Sequence, residues 1–239
     1  MNRLLRTPIL FMLLVLVCAC TQPPVSGPDL NEEQWFIFRS EENLGYLHIA
    51  PEKNIGDGLI EFTHKLLVGV LDGDRTVYKV TTLAAADDKF TPLKITIKAT
   101  EYTADATIRH KAGTLHLRSS DKIDPYEGIL AKGEFIEANV DIPVSTTTDL
   151  LLFSFIEKIE FDTDTALLMN LIESLELHLK KNIVLLYKGR DAEKQNLHKF
   201  DESSAVYWLD DSHRLIEVLW DKDKSFIRST EAEAMTILQ

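Results

Sequence analysis

Alternating apolar and polar residues run through most of the chain and predict a protein built mainly from half-buried β-strands. The clearest run is 93–100, where Leu93, Ile95, Ile97 and Ala99 occupy every second position and each residue between them is Lys or Thr. Successive side chains of a strand point to opposite faces. This run therefore predicts a strand with one face against a core and the other toward solvent.

Short turn signals separate such runs and predict a series of antiparallel hairpins. Glycine at these points supplies the positive φ angle that tight turns require. The turns predicted from glycine are residues 43–45, 57–58, 72–74 and 111–113, and a further turn without glycine is predicted at 210–213. The last of them lies between strands at 206–209 and 214–220, and a final strand follows at 225–229. The pattern predicts about ten strands in all.

Residues 148–159 interrupt the alternation and predict the clearest helix. Thr147 or Thr148 can cap its first turn, and Asp149 is favoured at the positive end of the helix dipole. Residues 150–159 (LLLFSFIEKI) are apolar on nearly every side. We therefore expect this helix to be buried against the sheet.

Residues 166–180 allow two interpretations. Leucines at positions 167, 171, 175 and 179 recur every four residues, as on a helix. Those at 175, 177 and 179 also alternate with polar residues, as on a strand. The strand-rich context favours a strand from about Ser174 onward. Residues 183–187 (IVLLY) are expected to continue as a buried strand.

Together these elements predict a mainly β (α+β) fold, in which one or two short helices cover the concave face of a large curved antiparallel sheet. A sheet of this size has to curl or be covered to hide its apolar face. The pattern is similar to the half-barrel folds of lipoprotein-carrier and related periplasmic families. Residues 208–211, 214–218 and 226–230 also resemble the closing hairpin of uncharacterised exported proteins of the DUF3108 kind. The resemblance covers roughly the last 35 residues and implies a fold, not an activity.

The N-terminus has the pattern of an export signal. Arg3 and Arg6 precede an apolar run at residues 9–17, which is much shorter than the roughly 20 residues that span a bilayer. The run ends in Val17-Cys18-Ala19-Cys20, which resembles the lipobox of bacterial lipoproteins.

The lipobox resemblance implies cleavage after Ala19 and attachment of lipid to Cys20. Thr21 stands where an aspartate would retain such a protein at the inner membrane, so the resemblance implies an outer-membrane lipoprotein. We accordingly divide the chain into a signal peptide (1–19), a proline-containing flexible tether (20–34) and a single β-rich domain (35–239).

Composition limits the function further. The 239 residues contain 26 Lys and Arg against 38 Asp and Glu, a net charge of −12, which becomes −14 when the signal leaves with Arg3 and Arg6. This balance argues against binding nucleic acid, and it repels anionic lipid head groups, so the lipid would have to hold the protein at the membrane. The two cysteines exclude a disulfide framework and a multi-cysteine metal site.

No catalytic, cofactor or metal site is predicted. Of the seven histidines, only His110 and His116 flank one turn, and spacing supplies no third metal ligand. Surface or rim positions are expected for all, including His48, His64 and His213. Residues 72–74 and 221–224 lack the spacing of a calcium loop and are predicted turns. Ser154 has no flanking glycines and is expected to be a packed helix serine.

The function expected from these features is that of a non-enzymatic, membrane-anchored lipoprotein that serves as a binding or scaffold module of the cell envelope. The apolar helix with Trp35, Phe36 and Phe38 can line a cavity for an apolar or lipid ligand, or it can fill the core completely. The alternative role is that of a structural or assembly partner of another envelope protein. A hydrolase with an unrecognised site is a third hypothesis.

Overall fold

The computed structural model describes residues 32–41, 43–70, 75–87, 90–99, 146–161, 165–175 and 178–237, together with five strands between residues 103 and 141. The predicted signal, the predicted lipid-attachment residue Cys20 and most of the predicted tether lie outside these residues. No helix within them is long and apolar enough to cross a bilayer.

The described chain contains 18 strands and two short α-helices. Helix α1 is Asp149–Phe155 and helix α2 is Glu231–Thr236. The strands are β1 (Gln34–Arg39), β2 (Asn43–Ile49), β3 (Lys53–Gly56), β4 (Leu59–Val70), β5 (Arg75–Ala85), β6 (Pro92–Lys98), β7 (Thr103–Arg109), β8 (Thr114–Ser119), β9 (Lys122–Ile123), β10 (Leu130–Ala131), β11 (Ile136–Asp141), β12 (Thr146–Thr148), β13 (Ala166–Glu173), β14 (His178–Asp191), β15 (Leu197–Asp201), β16 (Ala205–Leu209), β17 (Leu215–Trp220) and β18 (Lys224–Ser229).

Sixteen of these strands form one sheet. Their order is β11-β8-β7-β6-β5-β4-β2-β1-β18-β17-β16-β15-β14-β13-β12, and β3 pairs with β4 outside this path. The first and last strands of the chain meet in the middle of the sheet, where Ile37 lies opposite Ile227. Neighbours are antiparallel except for the parallel pair of β12 and β13. The backbone of β12 also approaches β6, although the two are far apart in the sheet, because the sheet curls toward closure.

The predicted fold class is confirmed: the protein is mainly β, with a large curved sheet and a short helix buried against it. The predicted number of strands is too low. The described part of the run at 93–100, residues 93–99, behaves as expected, because Ile95 and Ile97 are fully buried while Lys94 and Lys98 are exposed.

The predicted hairpins have mixed outcomes. Asp57 and Gly58, both with positive φ, form the turn between β3 and β4 as expected. The prediction of a turn at 43–45 is wrong, because these residues lie within β2. A Cβ on Gly45 would lie 1.8 Å from the backbone oxygen of Leu67, so this glycine allows β4 to approach β2. The predicted turns at 72–74 and 111–113 lie outside the described residues.

The segment 166–180 is the largest local correction. Residues 166–173 are strand β13, and Ser174 begins the turn before β14. The strand therefore starts eight residues before the predicted position. The leucines spaced by four do not share a helix face, because β13 pairs along its length with β14. Within β14, Val184 is 40% exposed, so 183–187 alternates instead of being buried throughout.

Helix α1 matches its prediction closely. Thr148 is its N-cap and accepts a hydrogen bond from the backbone N–H of Leu151 at 3.1 Å. All seven α1 residues are buried, and a single 3₁₀ turn, Ile156–Lys158, follows. Phe153 packs edge-on against Phe36 of β1 at a centroid distance of 5.5 Å. The apolar helix thus fills much of the space inside the curved sheet.

Helix α2 is a surface element that sequence analysis did not predict. Thr230 and Glu233 form a capping box at its start. Only Ala234 of this helix is buried, and the helix contacts β1 and β2.

Candidate functional site

A cavity of about 220 Å³ lies between the start of α1 and the inner face of the sheet. At about 30 Å³ per liquid water it holds on the order of seven waters, and it is smaller than the roughly 300–1,000 Å³ of drug-sized sites. It therefore suits a short alkyl chain or one part of a larger ligand. Its lining residues are Phe38, Leu66, Val68, Asp149, Leu150, Glu173, Leu175, Trp220, Asp221, Lys224 and Phe226.

Apolar residues form the deep wall of the cavity. Phe38, Leu66, Leu150 and Phe226 are all buried. The ring of Phe226 lies 5.0 Å from that of Phe38 and 6.4 Å from that of Trp220, measured between centroids. Three aromatic rings from three neighbouring strands therefore line one side of the cavity.

The sequence-predicted lining residues divide between the cavity, the core and the outer face. Phe38 lines the cavity. Phe36 is fully buried in the core against Phe153. Trp35 points to the other face of β1 and stacks on His48 at 4.1 Å. The strand alternation separates these aromatic residues, although they are close in sequence.

Asp149 is the one buried carboxyl among the cavity residues. Its Oδ1 accepts hydrogen bonds from the backbone N–H of Leu150 at 2.7 Å, from the backbone N–H of Ser174 at 2.9 Å, and from the Ser174 hydroxyl. The carboxyl thus joins the start of α1 to the turn between β13 and β14. Burial raises the pKa of Asp149 to about 6, against the opposing effect of these hydrogen bonds.

Paired charges surround the mouth of the cavity. Glu173 forms an ion pair with Lys180 at 2.6 Å. Asp221 forms one with Lys224 at 3.2 Å. All four side chains are partly exposed. The site therefore combines an apolar interior, a buried carboxyl and a charged, solvated rim.

Glu157 is a second buried carboxyl, and its contacts are structural. Its Oε1 accepts from the backbone N–H of Leu215 at 2.7 Å and from Arg228 Nη1 at 2.9 Å, and its Oε2 accepts from Gln34 Nε2 at 2.9 Å. Burial raises the pKa of Glu157, although these donors and the Arg228 charge favour the ionised form. The side chain thereby connects the 3₁₀ turn after α1 to β1, β17 and β18.

The prediction that all histidines lie at the surface is wrong for two of them. His64 is fully buried on the inner face of β4. Neither of its ring nitrogens has a hydrogen-bond partner in the described structure, although the backbone of Leu150 lies close. Burial lowers the pKa of His64 to about 3, so the ring is neutral. Strand alternation placed it inward, with Phe62 and Leu66.

His198 is the second buried histidine, and it lies in a polar chain. Its Nδ1 is 2.7 Å from the Tyr187 hydroxyl and its Nε2 is 3.0 Å from Asp211 Oδ1. Phe161 lies between the rings of His198 and His213, at centroid distances of 3.7 and 3.8 Å. Burial lowers the pKa of His198. Both ring nitrogens are engaged and one face of the ring is covered, so these contacts fix the orientation of the imidazole.

A wider surface depression of about 500 Å³ lies around the turn between β15 and β16. Glu202 lines this depression. Its carboxylate accepts hydrogen bonds from the Ser203 and Ser204 hydroxyls and from the Ser204 backbone N–H, at 2.9–3.0 Å. These local bonds satisfy the carboxylate and stabilise the turn.

The other residues considered as possible sites in the sequence either have a structural role or lie outside the described residues. Cys20 and His110 lie outside it, as does the side chain of His116. Ser154 is buried in α1 as expected. Asp221 and Lys222 form the turn between β17 and β18 with positive φ. Across the described ranges no group of three or more His, Cys, Asp or Glu residues is placed to hold a metal ion.

Comparisons with known proteins identify no family. No protein-family model matches the chain, and no curated protein matches it. A solved structure described as a β-barrel-like protein of the domain of unknown function DUF1849, from Brucella abortus, is similar over 82% of this chain and 94% of that chain. The identity is 10% and the TM-score 0.42. The family named there is not DUF3108, and nothing about function follows from so distant a likeness.

Proposed function

We propose that this protein is a non-enzymatic, membrane-anchored lipoprotein of the bacterial outer membrane, whose curved-sheet domain binds the apolar part of a small ligand. The cavity beside α1 carries the ligand-binding part of this proposal. The lipobox-like sequence ending at Cys20 carries the membrane part.

The cavity supports binding because apolar side chains line most of its interior, Asp149 is its one buried carboxyl, and the ion pairs lie at its mouth. Four buried residues, Phe38, Leu66, Leu150 and Phe226, would contact a ligand inside it. An alkyl chain placed there leaves water, and each buried methylene contributes about 0.8 kcal/mol. A cavity of this volume has room for a chain of several carbons.

Titration of the purified full chain in phosphatidylcholine nanodiscs tests the cavity. The probe is 1-hexanol, a neutral short-chain alcohol, and calorimetry measures its heat of binding after subtraction of empty nanodiscs. Val68→Phe places a larger side chain at the cavity, while Val184→Phe makes the same change on the outer face of β14. We expect binding to the wild type and to Val184→Phe, and much weaker binding to Val68→Phe. Equal binding by all three proteins, or by none, would contradict the cavity as the site.

The membrane anchor has a test of its own. Cells supplied with an alkyne fatty acid should label the wild type and Cys18→Ala but not Cys20→Ala. The intact mass of the mature wild type should correspond to a chain that begins at acylated Cys20. A mature protein that keeps residues 1–19, or that carries a free thiol at Cys20, would refute the anchor.

A role as an assembly partner is the second candidate, and one observation favours it. Leu168 and Val184 lie directly opposite each other on the outer face of β13 and β14, with exposures of 64% and 40%. Two apolar side chains side by side on the solvent-facing surface would leave water on contact with another protein. A photo-crosslinking residue at position 168 should capture one defined envelope protein in cells, and a residue at exposed Lys181 should not.

A further inference from the structure

We propose that the ligand of this cavity is an organic cation, an alkyl- or arylammonium ion whose charged nitrogen lies against Asp149 and whose apolar part lies among Phe38, Trp220 and Phe226. This proposal rests on the proposed ligand-binding function and specifies the chemistry of the ligand.

The first observation is an unused carboxylate oxygen. Asp149 is only 7% exposed, and its residue lines the cavity. All of its hydrogen bonds within the described chain fall on Oδ1. Oδ2 is therefore available to accept a hydrogen bond from a group in the cavity. An ammonium N–H is the donor that gains most from such an acceptor, because the resulting hydrogen bond is charge-assisted on both sides.

The second observation is the balance of charge around the cavity. Glu173 and Asp221 line the mouth, and their partners Lys180 and Lys224 neutralise them. The phenol of Tyr207 lies near Asp149 and stays neutral, because burial raises its pKa. Asp149 is left as the carboxyl with no cationic partner among the described residues. An anionic head group would be repelled there, and a neutral one would leave the desolvated carboxylate unpaired.

The third observation is the aromatic wall. Phe38, Trp220 and Phe226 surround the same space that Asp149 lines. The faces of aromatic rings attract cations, and tryptophan does so most strongly. The rings and the carboxyl therefore favour the same ligand: a cationic nitrogen with an apolar substituent of a few carbons.

A comparison of three probes of equal chain length tests the proposal. Hexylammonium, 1-hexanol and hexanoate are titrated into the full chain in phosphatidylcholine nanodiscs at neutral pH. We expect hexylammonium to bind at least about tenfold more tightly than 1-hexanol, since hydrogen bonds to charged groups exceed neutral ones by about that factor. Hexanoate should bind most weakly.

Two variants assign the preference to one residue. Asp149→Asn keeps an acceptor for Leu150 and Ser174 but removes the charge, so hexylammonium should lose most of its advantage over 1-hexanol, and the aromatic rings account for the small preference that remains. Asp223→Asn removes the same charge from the exposed turn between β17 and β18 and should retain the preference. Trp220→Leu provides a second test at the mouth: it should weaken hexylammonium more than 1-hexanol, and it keeps the proposal falsifiable if Asp149→Asn does not fold.

Each outcome separates the two proposals. Equal affinity of the wild type for hexylammonium and 1-hexanol would refute the cationic ligand and leave the apolar cavity intact. A preference of undiminished size in Asp149→Asn would refute the assignment to this carboxyl. Binding of none of the three probes would refute the proposed ligand-binding function together with this inference.

Discussion

The clearest quantitative prediction concerns the buried carboxyl of Asp149. Asp149→Asn retains an oxygen that can accept the hydrogen bonds from Leu150 and Ser174, and it removes only the ionisable group. The variant should therefore fold, and its stability should differ from that of the wild type in a way that depends on pH. The difference isolates one residue, because every other titrating group is common to both proteins.

The sign follows from the direction of the pKa shift. The pKa of Asp149 is about 6 in the folded protein and 3.8 in an unperturbed aspartate. Between about pH 4 and pH 6 the folded state holds a proton that the unfolded state has released. The contribution of Asp149 to stability is thus fully present below about pH 4, and it is lost as the pH rises through 6.

The magnitude comes from the same two values. A shift of about 2 pKa units at about 1.36 kcal/mol each corresponds to about 3 kcal/mol. The free energy of unfolding of the wild type, relative to Asp149→Asn, should therefore fall by about 3 kcal/mol between pH 3.5 and pH 7. At neutral pH the wild type is destabilised by burial of the ionised Asp149 carboxylate, and the neutral side chain of Asp149→Asn is not subject to this cost.

Urea denaturation followed by tryptophan fluorescence measures this difference. Wild type, Asp149→Asn and the exposed control Asp223→Asn are unfolded at intervals between about pH 3.5 and pH 7.5. The control should follow the wild type closely. If the difference in free energy of unfolding between the wild type and Asp149→Asn stayed constant with pH, Asp149 would not have a raised pKa in the folded protein. If the wild type instead became more stable relative to Asp149→Asn as the pH rose, the folded protein would lower the pKa of Asp149.

The remaining predictions concern packing and the second buried carboxyl. Phe153→Ala should lower the free energy of unfolding by about 3–5 kcal/mol, because it empties the centre of the core, while Ile227→Ala on the outer face should change it by roughly 0.5 kcal/mol or less. Gly45→Ala should destabilise by at least about 1–3 kcal/mol, because its Cβ would meet the backbone of the next strand; Gly69→Ala is the milder control, because its Cβ would meet the flexible side chain of Arg75 at 3.0 Å and the backbone oxygen of Leu44 only at an ordinary contact distance of 3.7 Å. Glu157→Leu should cost at least about 1–3 kcal/mol, because it leaves the buried backbone N–H of Leu215 without an acceptor and removes the ion pair of the half-buried Arg228. Denaturation curves for the wild type and each variant measure these differences. Equal midpoints within either control pair, or an unchanged midpoint for Glu157→Leu, would contradict the contacts described for that site.

Local sequence signals were sufficient where neighbouring residues determine the structure. The alternation around Ile95 and Ile97 predicted a strand and its buried face. Thr148 and Asp149 predicted the start of α1, because a side-chain oxygen one residue before a helix satisfies its free N–H groups. Signals of this kind depend on residues a few positions apart, so a single sequence contains them completely.

The same local signals failed where a partner strand decides the outcome. The leucines of residues 166–180 suit a helix, yet pairing with β14 makes residues 166–173 a strand. Gly45 suits a turn, yet its role is to admit the backbone of β4. In both places, pairing and packing with the neighbouring strand contribute more free energy than the modest intrinsic preference of the segment for a helix or a turn.

The sequence by itself determined that the chain is a mainly β protein with one buried apolar helix, because periodicity and capping are properties of adjacent residues. Only the tertiary structure decided what surrounds each buried polar group. It brought Ser174 to Asp149 across 25 residues and Arg228 to Glu157 across 71 residues, and it left a cavity between α1 and the sheet. Those contacts depend on strand register and on the curl of the whole sheet, which bring together residues that no local pattern relates.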